Sequence, residues 1–342
     1  MTANQLIAQS KKGTLNGVYL LDGEEEYLKQ QTFNQVKSLL VPEDFESLNL
    51  TILTNPTAED LIDACEVLPF MSEQRVVIVN ECEALLPSKK NNDEFLELFL
   101  PYLDNINPST CLFFYVKGNA DGRKKLATTI KKNYNTIRFG LMDFTTAEIW
   151  ATDLLKERGI SLSSNTAQKL VFTVGTQAAT LNEEIDKLAS YVFPNTKISP
   201  EDIEAICTKN IQSTVFEMLD ELANGKPNKA YELLFHLLKQ GENEIQILSL
   251  LSRQYRILHQ VRCLLDENMS NTQITSLLQM APYQSRKLFA QVANRSAKQI
   301  YRVYSYLHQS EFEIKQGKQL VEGCVFTAML SISYILNPTR SK

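Results

Sequence analysis

Five short apolar runs occupy the first 140 residues: Val18 to Leu21, Leu48 to Ile52, Val76 to Val79, Leu112 to Val116 and Thr136 to Phe139. They alternate with stretches of helical periodicity, the pattern of an α/β unit built on a largely parallel sheet. Between the second and third runs lies a clear helix. Thr57 can cap it with Asp60 three residues on, and Leu61, Ala64, Cys65 and Leu68 recur on one face.

From Thr145 the strands stop and helix signals multiply. Thr145 with Glu148, Thr180 with Glu183, and Ser199-Pro200 with Asp202 form three successive N-terminal cap patterns. They predict a small helical domain that ends near residue 210. Beyond it Val215, Phe216, Leu219, Leu222 and Ala223 form one apolar stripe, and the NGKP turn at Asn224 to Pro227 breaks it. Ala230, Leu233, Leu234, Leu237 and Leu238 form the next, and Ile245, Leu248, Leu251, Tyr255 and Leu258 continue the theme. The predicted organisation is an α/β domain over 1–140, a small helical lid over 141–210 and an all-α domain over 211–342.

Composition excludes several functional classes. Apolar content of 44% and charged content of 22% are ordinary for a soluble globular chain, and a net charge of −5 argues against a general nucleic-acid coat protein. The first residues, MTANQLIAQSKKG, lack the apolar core of a signal peptide, and Cys324 to Leu336 is too short to span a bilayer. A cytoplasmic protein with no membrane partner is expected. Cys65, Cys82, Cys111, Cys207, Cys263 and Cys324 include no CxxC pair and read as reduced core thiols. His236, His259 and His308 lie far apart, so metal ligation and histidine-based catalysis are poor readings.

An α/β domain followed by a helical lid and a helical third domain resembles a clamp-loader subunit of the AAA+ type. That resemblance implies four nucleotide-site elements, and each departs from the ATPase pattern. No GxxxxGK[ST] occurs, and the corresponding turn in VYLLDGEEEYL reads Asp22-Gly23-Glu24-Glu25-Glu26. Carboxylates facing triphosphate oxygens repel by on the order of 1 kcal/mol per pair at about 4 Å even in bulk water. The turn carries no lysine to offset this, so phosphate binding should fail, and the glutamates read as a helix N-terminus favoured by the helix dipole. In VVIVNECEALL, Asn80 stands where the Mg²⁺-holding aspartate is expected, leaving only Glu81. The helix after the fourth run ends in Lys131-Lys132-Asn133 without a Ser-Arg-Cys finger, and VGTQAATL puts Ala178 near the place of the lid's sensor arginine. No cofactor, metal or catalytic residue is therefore expected.

Further segments narrow the resemblance. VYLLDGEEEYL, LPFMSEQRVVIVNE, KGNADGRKKL, TLNEEIDKL, SRQYRIL, APYQSRKLFAQVA and SEFEIKQG occur in an order similar to that of the delta-subunit family of the bacterial DNA polymerase III clamp loader. The similarity runs from about residue 15 to 335. It implies a subunit that opens the ring-shaped sliding clamp (beta) for loading onto primed DNA in replication, without hydrolysing ATP. It also implies association with the ATPase subunits (gamma/tau) and delta-prime through the third domain, which would serve as a collar. Delta-prime itself would keep a Ser-Arg-Cys finger and a cysteine-rich zinc module, and neither occurs here. Any DNA-directed polymerase or nucleotidyltransferase activity would belong to the whole complex.

The resemblance places the clamp contact at Phe70 and Met71, with Leu68 and Pro69 beside them; the family more often has Leu-Phe at the pair. The residues themselves allow two readings. The amphipathic face should end before Pro69, which removes a backbone donor and restricts its predecessor, so Phe70 and Met71 fall in a turn outside the stripe. There they either fold back onto the core or enter a partner's pocket, where each contributes roughly 1.5 to 3 kcal/mol. Lys117, Arg123, Lys124 and Lys125 are either a solvated face or a contact to DNA. The rival functions are an active AAA+ ATPase and a helical adaptor unrelated to replication.

Overall fold

The computed structural model describes residues 1–13, 15–87 and 93–336. The chain divides into two units, one comprising Met1–Met142 with Gln177–Ala179 and the other Asp143–Thr176 with Thr180–Lys342.

The first unit is an α/β domain. Its strands are β1 (Gly17–Asp22), β2 (Leu50–Thr54), β3 (Arg75–Asn80), β4 (Thr110–Tyr115) and β5 (Asn135–Arg138), paired in parallel in the order β2-β3-β4-β1-β5. The helices are α1 (Ala3–Lys11), α2 (Glu26–Leu40), α3 (Glu46–Asn49), α4 (Ala58–Glu66), α5 (Asp93–Leu103) and α6 (Lys125–Asn133). A parallel sheet needs cover on both faces, which explains why the central strands are apolar throughout. Val18, Leu20, Val77, Val79, Leu112 and Phe114 meet Leu61 and Cys65 of α4, Phe95 and Phe99 of α5, and Leu126 and Ile130 of α6. Tyr19, Leu21, Val76, Ile78, Cys111 and Phe113 meet Leu6 of α1 and Phe33 and Val36 of α2.

All five predicted strands form, and four keep their position. The second is displaced. Its first residues, Leu48 and Asn49, belong with α3, and pairing with β3 runs from Leu50 to Thr54. Asn49 ends α3, and its side chain is buried in a polar role described below.

The second unit is helical: α7 (Phe144–Glu157), α8 (Ser164–Val174), α9 (Ala178–Val192), α10 (Pro200–Ile206), α11 (Ile211–Ala223), α12 (Pro227–Lys239), α13 (Glu244–Asp266), α14 (Asn271–Leu277), α15 (Pro282–Val292), α16 (Ala297–Lys315) and α17 (Cys324–Leu336). The first residues of α9 fall in the first unit. One cap pattern forms as predicted, with Ser199 and Asp202 exchanging bonds in a capping box. Two others do not. Asp143 caps α7 by accepting from the Thr146 N–H at 2.7 Å, so Thr145 lies inside the helix, and Thr180 lies inside α9. An acidic residue two positions upstream offers a stronger acceptor than the threonine hydroxyl. The NGKP turn separates α11 from α12 with Pro227 in the first helical turn. Among the described residues no helix is long and apolar enough to cross a membrane, and no group of His, Cys, Asp and Glu is placed to hold a metal.

Candidate functional site

The loop after α4 carries the predicted tip. Thr57 caps this helix through the Asp60 N–H, Leu61 and Cys65 bury its inner face, and the chain turns extended at Val67, ahead of Pro69. Val67 and Leu68 are exposed, Pro69 is half-buried, and Phe70 and Met71 are 54% and 76% exposed. The structure therefore brings the four predicted residues together on one loop and does not fold the two large side chains back onto the core. Met71 adopts a left-handed backbone with φ 48°, uncommon for a residue with a Cβ.

Two buried polar side chains that the sequence reading did not single out hold this loop. Asn49 accepts from the Phe70 N–H through Oδ1 at 2.7 Å and donates from Nδ2 to the Phe70 carbonyl at 2.8 Å. Arg75 donates from Nε to the Ala64 carbonyl at 3.2 Å, from Nη1 to the Leu48 carbonyl at 2.7 Å and from Nη2 to Thr51 Oγ1 at 2.6 Å. The guanidinium thereby satisfies a carbonyl in the last turn of α4, which the helix itself leaves open. A polar residue inside the apolar run LNLTIL was the signal available for Asn49, and a lone arginine opening RVVIVN was the signal for Arg75.

The turn after β1 is the second region of interest. Gly23 has φ 127°, and a Cβ there would sit 2.0 Å from the Phe139 carbonyl oxygen, so close backbone packing requires glycine. The three glutamates have different surroundings. Glu24 is exposed and accepts from Asn119 Nδ2 at 2.6 Å. Glu25 is buried, and burial pushes its carboxyl above the usual value despite the opposing N–H groups of Ala178 and Tyr27. Glu26 accepts from the Gly118 N–H at 3.0 Å and the Tyr115 hydroxyl at 2.9 Å. Asp22 accepts from the Ala120 N–H at 2.7 Å.

At the centre of this turn is Lys29, fully buried one helical turn into α2. Its Nζ donates to the carbonyls of Gly23 at 2.8 Å and Val116 at 2.6 Å, lies 2.6 Å from Glu26 Oε1, and sits 5.1 Å from the centre of the Tyr115 ring. The glutamates do lie at a helix N-terminus, with Glu25 at the N-cap of α2 and Glu26 in its first turn, but Glu25 is buried and Glu26 makes tertiary bonds beyond any helix-dipole role. The Glu26 carboxylate joins the turn to the segment after β4, with Lys29 three residues downstream as its counter-charge, whereas Glu25 is held by the N–H groups of Ala178 and Tyr27. A phosphate cradle presents N–H groups and a free cation; here carbonyl oxygens and a carboxylate already engage the cation. Asn80 ends β3, Glu81 is exposed, and Ala178 is buried at the start of α9.

In the basic segment Arg123 forms two bonds with Asp121, from Nε and Nη2, both at 2.9 Å. Lys117, Arg123 and Lys125 are exposed, and Lys124 is half-buried at the start of α6. Cys65, Cys82, Cys111, Cys207 and Cys324 are buried free thiols, and Cys263 is a half-buried one.

Comparison with known proteins covers both halves of the chain. Residues 19–140 match the family described as DNA polymerase III, delta subunit, and residues 212–331 match the DNA polymerase III delta subunit, C-terminal domain. The DNA polymerase III subunit delta of Bacillus subtilis is 25% identical over 315 residues, covering 90% of each chain. That of Escherichia coli is 21% identical over 320 residues, covering 91% of this chain and 90% of that protein. The solved Bacillus subtilis DNA clamp loader delta protein superposes with a TM-score of 0.56 at 24% identity, over 97% of this chain and 99% of that one, and shows the same fold. With two matched segments that together span more than half of its length, the chain belongs to the DNA polymerase III delta subunit family.

Proposed function

We propose that the chain is the clamp-loader subunit that binds the sliding clamp through Leu68, Pro69, Phe70 and Met71 and opens it for loading onto primed DNA. The observation that carries this reading is the pair of large apolar side chains, Phe70 and Met71, held out to solvent on a loop whose backbone is fixed. A ligand shifts an equilibrium only by its differential affinity for the two states, so the tip must fit the open ring better than the closed one. The chain acts without hydrolysing ATP, a reading supported by the engagement of Lys29 with carbonyls and Glu26.

The reading extends to three domains. Residues 1–140 carry the tip, 141–210 form a lid, and 211–342 form the collar that joins the ATPase subunits (gamma/tau) and delta-prime. Phe326, Leu330 and Tyr334 support the collar assignment, since they leave one face of α17 apolar and exposed while its opposite face is buried. Lys117 and Lys125 are available to phosphates of primed DNA held within the assembly.

The test is a Phe70→Ala, Met71→Ala double variant of the full chain, assayed for binding and unloading of the clamp. Losing two side chains worth about 1.5 to 3 kcal/mol each should weaken binding by roughly two orders of magnitude or more. A variant that binds and unloads the clamp like the parent would refute the tip. Saturable ATP uptake by the isolated chain would refute the non-ATPase reading.

A further inference from the structure

The side-chain amide of Asn49 pairs with both backbone polar groups of one residue, 21 positions away in sequence. It is fully buried, while the side chain it supports is more than half exposed. A primary amide is a neutral group with donor and acceptor side by side, so it can match the N–H and C=O of a single residue as a neighbouring strand would. No regular element supplies those bonds here, because Phe70 lies in an irregular loop between α4 and β3. The segment bearing Asn49 is itself fastened, since Arg75 ties the Leu48 carbonyl and Thr51 hydroxyl to the end of α4 at Ala64. Both the root and the apex of the loop are therefore fixed to the same edge of the sheet.

We infer that Asn49 is a positioning residue for the tip: it holds the Phe70 backbone so that Phe70 and Met71 are presented in their docking arrangement before the partner arrives. This rests on the tip being the clamp contact. A loop ordered in advance loses less conformational freedom on association, and the surplus appears as affinity. The left-handed backbone at Met71 has the same reading, because an unusual conformation persists only where its surroundings enforce it.

Two measurements separate this inference from the reading beneath it. In calorimetric titrations of the full chain against the isolated clamp, Asn49→Ala should weaken binding roughly tenfold. In the Phe70→Ala, Met71→Ala background the same change should have no further effect. Unchanged affinity, or an equal drop in both backgrounds, would overturn the positioning role, because general structural damage does not depend on the tip side chains. The second measurement needs no clamp. Hydrogen exchange at the Phe70 amide of the free parent chain should be slow, and exchange at the rate of an unstructured peptide overturns the inference even if Asn49→Ala does not fold. If the double variant binds like the parent, the tip reading fails, and exchange alone then decides whether Asn49 holds the loop.

Discussion

Lys29 donates from Nζ to the carbonyl of Val116 at 2.6 Å, joining the first turn of α2 to the segment that follows β4, 87 residues away. Together with the bond to Gly23, this contact spans the crevice at the carboxyl ends of β1 and β4. Ligands of open α/β sheets enter at such crevices, and here a side chain of the protein occupies one.

Replacing Lys29 with methionine keeps the aliphatic stem and removes the charge. It leaves two carbonyls without their donor and Glu26 without its counter-ion, a change expected to destabilise the first unit by about 3 kcal/mol. Urea unfolding of Lys29→Met would show this as a lower midpoint. An unchanged midpoint would mean that the ammonium contributes little and that the turn holds itself.

The same turn should show a pH dependence of definite sign. Burial raises the Glu26 carboxyl, but Lys29, the Gly118 N–H and the Tyr115 hydroxyl outweigh it and hold the group below the ordinary 4.5. A carboxylate depressed in the folded state contributes stability that is complete above its unfolded value and is lost as pH falls through the folded value. Glu25 has the opposite sign. Raised mainly by burial, it contributes stability that is complete below 4.5 and is lost as pH rises through its folded value. Glu26→Gln should therefore flatten the acid limb of stability below 4.5, and Glu25→Gln the portion just above it. Denaturation midpoints across this range check both, and a Glu26→Gln chain with the parent's acid slope contradicts the assignment.

Gly23 and Gly122 offer a paired test of why the turn keeps glycine. A Cβ on Gly23 would meet the backbone of Phe139 at 2.0 Å, whereas one on Gly122 would meet nothing within 4 Å. Gly23→Ala is expected to destabilise by more than about 3 kcal/mol, and Gly122→Ala to stay within about 0.5 kcal/mol. Comparable thermal midpoints for the two variants would remove the packing explanation.

The elements legible in the sequence were those set by local pattern. Central strands buried on both faces left continuous apolar runs, and α4 announced itself through Thr57, Asp60 and the Leu61 stripe. What escaped depended on contacts distant in sequence. Nothing local to Asn49 marks it as the partner of Phe70, and nothing local to Lys29 places Val116 beside it. Thr145 and Thr180 failed as caps for a related reason: a cap motif states that a helix can begin, while the better acceptor at Asp143, or an earlier start at Ala178, decides where it does. Pro69 marks Phe70 and Met71 as lying in a turn outside the stripe, but the local pattern does not decide whether they fold back or stay exposed, because the groups that bond this loop lie at 49 and 75.

The exposed face of α17 supplies the last prediction. Cys324, Val325, Ala328, Met329, Ile332 and Leu336 are buried, while Phe326, Leu330 and Tyr334, spaced four residues apart, remain open. A helix apolar on all sides is ordinarily buried on all sides, so the open face is the part of the proposed collar best suited to another subunit. Leu330→Glu with Tyr334→Glu alters exposed positions only and should change the stability of the isolated chain by no more than about 0.5 kcal/mol per site. It should abolish co-elution with the loader ATPase subunits in size-exclusion chromatography, since each new carboxylate would be buried without a partner in the assembled interface. Clamp binding by the isolated variant should survive, because Phe70 and Met71 lie in the other unit. Full co-elution of the double glutamate variant would move the collar contact to another face, and loss of clamp binding would instead indicate misfolding.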